Sequence, residues 1–528
     1  MRSRKLLALI FSLLAIAPAL AGYMTLLGAG VGGSIAPVVT YTAGTDSFPD
    51  TALSFSRPSL ATMFDSTGKL TYAPNNLALN TATLGTQSVT VQVGVNYLVS
   101  FASGGGSIAL SGAGAGTVTS ASPVKITAST TTLTLTVAGT VTNAVVAAVT
   151  YETTPRTGDQ VITTSAAYYG PRIDYDPNTL AVKGLLIEEA RTNVAIWGED
   201  LSNAGWAWTT YGNSVTANAT AGPAGTTTAA LITPTAGSGL HRSERGISGF
   251  SLGATVSLSI FAKPNGYNNI QLGVYDTAYR GANFNVSTGA VANTDAGVTA
   301  TIKPAANGFY RCTITYTTAG ATTLYWEAYV RPNGTIDYNT WVADGTSGIY
   351  VDKAQMEVGS FATSYIPTAA SSVTRAADVV QFTGAALTAL QGSAGTTIVQ
   401  TSDAANSGSS QALIGSNAVS NMYMRYVGTA VSSLASDGTA LAASGTVSLT
   451  SASRSAIAWG ASSRSLVHDG GTVATDAKTF SGVSAAYLGA ANGGAQYWFN
   501  GHFASFAIYN QRLPDATLQA KSVVGASY

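Results

Sequence analysis

Apolar and polar residues alternate along most of this chain in short runs that Gly, Pro and Asn bring to an end. VSLSIFAKP (Val256–Pro264), NIQLGVYD (Asn269–Asp276), GFYRCTITYTT (Gly308–Thr318) and TLYWEAYV (Thr323–Val330) each send side chains in turn to two faces. Pro-Asn-Gly, Ser-Thr-Gly and Ala-Asn-Gly separate the runs. A period of two bounded by turn residues predicts half-buried strands joined by tight turns, and several in succession predict an all-β sandwich.

The same pattern appears on either side of this central stretch. SVTVQVGVNYLVSFAS (Ser88–Ser103) puts Val89, Val91, Val93 and Val95 on one face, and TTLTLTVAGTVTNAVVAAVTYE (Thr131–Glu152) does the same with Leu133, Leu135 and Val137. Gly clusters bound each run, which predicts a small sandwich of about six or seven strands. After Asp378, TTIVQTSD (Thr396–Asp403), MYMRYVG (Met422–Gly428), RSAIAWGASSRSLVHDGG (Arg454–Gly471) and YWFNGHFASFAIYNQRLPDATLQ (Tyr497–Gln519) continue the series. Pro514-Asp515 marks a turn into a short terminal helix over Ala516–Val523. The fold class expected is all-β: several β-sandwich, jelly-roll-like domains in series with a short helix at the C-terminus.

Composition narrows the function. At 528 residues the chain has room for several domains, yet only 9% of residues are charged and the formal net charge is zero. That balance gives a phosphate backbone nothing to bind, so no nucleic-acid partner is expected. The 57 glycines invite a reading as disorder, but 46% hydrophobic and 9% aromatic residues are too much apolar material for a chain without a core. Cys312 is the one cysteine, which rules out an intrachain disulfide and, within GFYRCTITY, predicts a small buried residue.

The first 21 residues differ from the rest. Arg2, Arg4 and Lys5 precede the apolar run LLALIFSLLAIAPAL, and Ala19-Leu20-Ala21 is a small-residue cleavage signal ahead of Gly22. The pattern reads as a secretory signal peptide. An uncleaved anchor, or a true start at Met24, are the other readings, and 22–74 follows as a Gly/Ala/Thr-rich attachment segment and lead-in. Within it, Asp65-Ser66-Thr67-Gly68 predicts a turn.

GLLIEEARTN (Gly184–Asn193), FAKPNGY, NGFYRCTIT, GIYVDKAQMEVGSFATSYIPT and VTRAAD, with a lead-in at FSRPSLATMFDSTGKL (Phe55–Leu70), together resemble the β-sandwich module of bacteriophage and prophage tail-fibre, tail-spike and head-fibre proteins. The resemblance spans 170–380 and implies a carbohydrate-binding-like, concanavalin-A-like sandwich, with 75–152 inserted into its lead-in. Residues 381–528 resemble a laminin-G-like or concanavalin-A-like jelly roll, on Phe499, Gly501, Phe503, Phe506, Ile508, Tyr509, Arg512, Leu513 and Asp515. The phage setting implies a virion location, other virion proteins as partners and a host cell-surface polysaccharide as target, and a homotrimer is expected because single weak sugar sites gain from multivalency.

Catalytic chemistry finds little footing. His241, His468 and His502 stand apart in sequence, with no zinc-binding spacing, and surface or turn roles are expected for them. There is no nucleophile elbow and no phosphate-binding loop, so no cofactor and no metal site is expected. Glycoside hydrolysis needs two carboxyls roughly 5–10 Å apart across a cleft. Glu188 and Glu189 are neighbours that a strand would send to opposite faces, Asp174 and Asp176 sit in a turn context, and Glu199, Asp200 and Glu327 complete the candidates.

Binding remains. Exposed aromatic rings can stack on sugars while amides and carboxylates take the hydroxyls. Trp206, Trp208, Tyr211, Tyr267, Tyr275 and Tyr279 enrich the central stretch, and in TLYWEAYV one face holds Tyr325, Glu327 and Tyr329. The candidate glycan surface is Tyr325, Tyr329, Tyr338 and Trp341 with Asn333, Asp337 and Asn339 in the PNGTIDYN loop. The expected function is a non-enzymatic fibre protein that attaches to host-surface glycans. A secreted lectin-like adhesion protein and a polysaccharide-depolymerising spike are the alternatives.

Overall fold

The alternating runs become strands, and among the described residues the paired strands run antiparallel. The computed structural model describes residues 35–528 except 204–208, 321–322, 406, 408–409 and 419–420. The signal-peptide-like run, Met24, Trp206 and Trp208 therefore lie outside the described residues. The chain divides into Met1–Ala36 and Pro37–Tyr528, and the second unit holds all of the described strands and helices.

Three sandwiches build it. The first packs a three-stranded sheet (Val124–Thr127, Asn96–Ser103, Thr142–Val149) on a four-stranded one (Gln87–Thr90, Thr132–Ala138, Ser107–Gly112, Gly116–Val118). Tyr97, Val99, Ile108, Leu133, Leu135 and Val146 fill the space between. SVTVQVGVNYLVSFAS is not one strand as its alternation suggests. A turn at Gln92–Val95, closed by the Val95 amide on the Gln92 carbonyl (3.2 Å), splits it between the two sheets. Gly94 takes φ +82° there, a conformation few other residues adopt.

The second sandwich joins two six-stranded sheets over residues 209–358. One runs, in spatial order, Thr209–Tyr211, Arg242–Ser248, Thr323–Arg331, Asn269–Tyr275, Tyr279–Asn285 and Ala290–Thr294. Its partner runs Asn213–Ala221, Thr227–Pro234, Gly348–Val358, Thr255–Asn265, Tyr310–Thr317 and Val298–Pro304. Leu258, Ile260, Ile270, Leu272, Val274, Ile314, Leu324 and Trp326 meet between them, and Cys312 is buried among these side chains. Burial pushes its thiol pKa up.

The third sandwich recruits strands from well outside 381–528. Its long strand Gly501–Tyr509 pairs with Gly395–Ala404 on one side. On the other side Val182–Ile187 takes Gly501–Phe503 and Val39–Thr42 takes Ser505–Ile508, so two distant segments share one edge. In the facing sheet Leu53–Ser56 pairs with Val379–Phe382. Tyr41 and Leu53, from the stretch expected to be an attachment segment, are core residues, as are Leu185 and Ile187 from the phrase expected to open the central sandwich. The reason is edge satisfaction: Gly501–Tyr509 would otherwise present unpaired backbone groups. Two short helices lie beside the sheets, Gly384–Gln391, which the apolar pattern did not single out, and Asp515–Lys521 at the C-terminus.

Where the chain passes between the central and C-terminal sandwiches, the phrases FSRP, PRID, GLLIEEARTN and VTRAAD converge on a buried ionic knot. Asp378 binds Arg57 Nη1 (2.7 Å) and Arg172, and Glu188 binds Arg172 Nη1 (2.7 Å) and Arg375 Nη2 (3.4 Å). Ser364 donates its amide (2.8 Å) and its hydroxyl (2.7 Å) to Glu188, and the Glu188 amide donates to Asp378 (2.9 Å). Burial pushes the Glu188 carboxyl up, but Arg375 and Arg172 overcome it and hold the group well below the usual carboxylate range. Burial acts on Asp378 in the same sense, and Arg172, Arg57 and Arg375 likewise win.

Candidate functional site

The outward face of the sheet that contains Thr323–Arg331 is set by strand alternation. Leu324, Trp326, Ala328 and Val330 point to the core, which leaves Tyr325, Glu327, Tyr329 and Arg331 outward. Register then places Gly246, Tyr325, Tyr275 and Tyr279 in one row across four strands, and Glu244, Glu327, Gly273 and Gly281 in the next. Arg242, Tyr329, Gln271 and Asn283 form a third row.

Exposure singles out the first row together with Tyr211, which pairs with Arg242 and so extends the third. Tyr325 is 41% exposed, Tyr211 38%, Tyr279 37% and Tyr275 36%, and among the described residues no other aromatic side chain reaches this level. All four lie on this face. Ring centroids run 6.3 Å from Tyr325 to Tyr275 with planes at 59°, 4.7 Å from Tyr275 to Tyr279 at 45°, and 5.0 Å from Tyr279 to Tyr338 in a stacked pair. Isolated exposed aromatics are ordinary, and the gathering of four on one face is what makes this face the candidate for contact with another molecule.

A charged centre holds the row from below. Arg242 bridges Glu327 Oε1 (3.1 Å) and Glu244 Oε2 (3.0 Å), lies 4.3 Å over the Tyr211 ring, and donates to the Tyr279 hydroxyl (3.1 Å). Tyr211 donates to Glu244 (3.0 Å) and Tyr329 to Glu327 (2.9 Å). Glu327 has no solvent exposure. Burial pushes its pKa up to about 7, against the pull of the Tyr329 hydroxyl and Arg242 and with the help of Glu244.

The expected glycan residues separate into three groups. Tyr325 is on the open row, whereas Tyr329, on the same strand, is 1% exposed and serves as a wall. The loop 332–339 folds over the far end of the face. Asn283 Nδ2 donates to the Asn333 and Thr335 carbonyls (3.2 and 2.9 Å), the Asp337 amide donates to Gln271 (2.9 Å), Arg331 donates to the Asn339 carbonyl (3.2 Å), and Tyr338 donates to Asp295 (2.8 Å). The Asp337 carboxylate turns back to accept from Asn339 (2.6 Å), so both serve the loop itself. Trp341 is elsewhere, on a two-stranded ribbon with Gly237–Gly239, where its ring meets His241 (4.8 Å) and Tyr267 (5.1 Å) edge to face. Tyr211, Tyr275, Tyr279, Arg242 and Glu244 were not among the candidates. The signal for Tyr275 was present, since it follows Ile270, Leu272 and Val274 in opposite phase.

The histidines are not surface residues. His241 is enclosed by the carbonyls of Gly212 (2.7 Å) and Trp341 (3.0 Å), and His468 packs beside Ser455 (3.1 Å) rather than at a solvent edge. His502 lies between Asp174 (2.8 Å) and Asp403, and Asp403 also takes Lys183 (2.7 Å). Burial lowers the imidazole pKa, but the Asp403 charge outweighs it and the net shift is upward. Ring nitrogens flanked by oxygens repay burial better than exposure, which sequence spacing could not reveal. Among the described residues no group of three or more His, Cys, Asp or Glu could hold a metal ion, and no helix is long and apolar enough to cross a membrane.

No protein-family description matches the chain, and no curated protein does. Among solved structures it is similar to the CBM40 of a Ruminococcus gnavus IT-sialidase (19% identity, 26% of this chain and 87% of that one, TM-score 0.23). It is also similar to the CBM22-1-CBM22-2 tandem of Paenibacillus barcinonensis Xyn10C (11% identity, 62% and 99%, TM-score 0.22). A third is the CBM22-1-GH10 portion of Clostridium thermocellum xylanase 10B complexed with xylohexaose (16% identity, 34% and 30%, TM-score 0.20). These are β-sandwich carbohydrate-binding modules, or contain one, and at such TM-scores the likenesses carry no argument for this chain's function.

Proposed function

We propose that this chain is a non-enzymatic β-sandwich protein of a phage or prophage host-attachment fibre, and that its central sandwich binds a bacterial surface glycan through the tyrosine row. The observation that carries the reading is the concentration of exposed aromatics on one sheet face, Tyr211, Tyr275, Tyr279 and Tyr325, with carboxylates and amides beside them. Rings take the apolar faces of sugars without help from net charge. On this face the carboxyl with a raised pKa, Glu327, is sealed beneath its neighbours, which favours a binding surface over a hydrolytic cleft. Assembly as a homotrimer with other virion proteins belongs to the same reading, since weak sugar sites gain from multivalency.

The test is retention of the purified full chain on polysaccharide extracted from bacterial surfaces. The parent binds; a Tyr275→Ala, Tyr325→Ala double variant with an unchanged melting temperature does not. Retention of the double variant at the parent's level removes the tyrosine row from the reading. The basic and apolar run of 1–21 favours a second reading, a secreted lectin-like adhesion protein. Protein in culture medium with Gly22 at its N-terminus supports that reading, and protein in purified virions supports the fibre.

A further inference from the structure

The charge and tilt of the tyrosine row narrow its ligand, provided that the glycan-binding reading above holds. The outward cations of this face are Arg242 and Arg331, and both are buried. The Arg242 guanidinium is shared between Glu244 and Glu327, and Arg331 is tied to the Asn339 carbonyl and Gln271. Arg280, next to Tyr279, has the opposite strand phase and projects to the other side of the sheet. What solvent meets around the rings is carboxylate: Glu244, Asp295 and Asp337 are each partly exposed. A uronate, sialate or sulfate would approach those carboxylates, and among the described residues this face offers it no exposed cation, which disfavours an anionic ligand.

Ring geometry adds shape. Successive centroids at 6.3 and 4.7 Å are spaced on the order of one sugar residue, so Tyr325, Tyr275 and Tyr279 offer three consecutive stacking positions across the strands. Their planes differ by 59° and 45°, so they cannot lie together on a flat polymer surface. They match a single chain that turns from one residue to the next.

We infer that the tyrosine row of the central sandwich takes a soluble, uncharged glycan chain through three consecutive sugar residues and rejects both acidic glycans and crystalline polymer surfaces.

The test uses the full chain on a glycan array with neutral and acidic members, on extracted bacterial surface polysaccharide and on microcrystalline cellulose. Calorimetric titration then uses the neutral series that binds, from disaccharide to hexasaccharide. Affinity is expected to climb from disaccharide to trisaccharide and then level. Tyr275→Ala or Tyr325→Ala should each weaken it about tenfold without altering the melting temperature. Binding confined to sialylated, uronate or sulfated glycans overturns the inference and leaves glycan binding intact. So does retention on crystalline cellulose, or neutral binding indifferent to both substitutions. Binding to nothing on the array and to no extracted polysaccharide overturns the inference together with the reading beneath it.

Discussion

Asp378→Asn is the sharpest test of what holds the sandwiches together. In the parent the knot encloses three guanidinium groups, Arg57, Arg172 and Arg375, against two carboxylates, Asp378 and Glu188, all with side chains that solvent barely reaches. The substitution leaves one carboxylate for three cations. The new amide must also point its donors at a guanidinium or turn its one oxygen from the Glu188 amide. Removing one partner of a buried ion pair costs about 3–5 kcal/mol, because the remaining charge stays desolvated. Against a typical total of about 5–15 kcal/mol that is a large fraction. Glu189→Gln is the control: Glu189 pairs with Arg191, and at 28% side-chain exposure its carboxylate keeps contact with water that those of the knot lack, so its loss should cost less. Chemical denaturation followed by tryptophan fluorescence and by far-ultraviolet circular dichroism reads both. The expected result for Asp378→Asn is a large shift in midpoint, with the two probes parting as the central and C-terminal sandwiches unfold separately. A shift no larger than that of Glu189→Gln would refute the assignment of the knot as the joint.

Other outcomes rest on single groups. The raised His502 pKa means its contribution is complete below the unfolded value of 6.5 and is lost as pH rises through the folded one, so the melting temperature should fall above pH 6.5 in the parent and less so in His502→Gln. Glu327 is raised from 4.5 to about 7, so its cost appears as pH rises across that window. Glu327→Gln should leave stability at pH 4 nearly unchanged and raise it at pH 8 by up to about 3 kcal/mol, the free energy of moving a pKa from 4.5 to about 7. Trp459→Ala removes a fully buried ring and its bond to the Gly392 carbonyl (3.0 Å), with an expected loss of about 3–5 kcal/mol in the C-terminal sandwich by calorimetry. A chain truncated to begin at Ala61 lacks Tyr41 and Leu53 from that core and the strand along Ser505–Ile508; it should lose the C-terminal transition first, and an unchanged transition would contradict the pairing.

Much of the architecture could be read from period two alone, because a strand with one buried face writes that burial into every second residue. VSLSIFAKP, NIQLGVYD and TLYWEAYV all became strands of the central sandwich, and RSAIAWG and FASFAIY became strands of the C-terminal one. Alternation carries no information on which strand lies beside which. Val39–Thr42 and Val182–Ile187 are as strand-like as any other run, and their place emerges only in the fold, where both pair along one edge of Gly501–Tyr509. Of the tyrosine row only Tyr325 emerged as a candidate, for a related reason. Tyr275, Tyr279 and Tyr325 are spread over about fifty positions of sequence, and pairing alone makes them neighbours.

The memorable phrases of the sequence and the proposed binding face occupy different places, and physical chemistry explains the separation. A buried set of charges tolerates little exchange, since each guanidinium of Arg57, Arg172 and Arg375 needs its carboxylate and no neutral residue offers the same bonds. Such residues make a recognisable phrase because the joint is demanding, whatever the protein binds. The exposed tyrosines obey no such constraint: Tyr275 and Tyr325 can be replaced without opening a cavity in the sheet beneath them. A recognisable phrase in a chain of this kind therefore identifies the joint, and a candidate binding face has to be sought among the outward positions of the sheet, two residues apart on each strand and adjacent only through pairing.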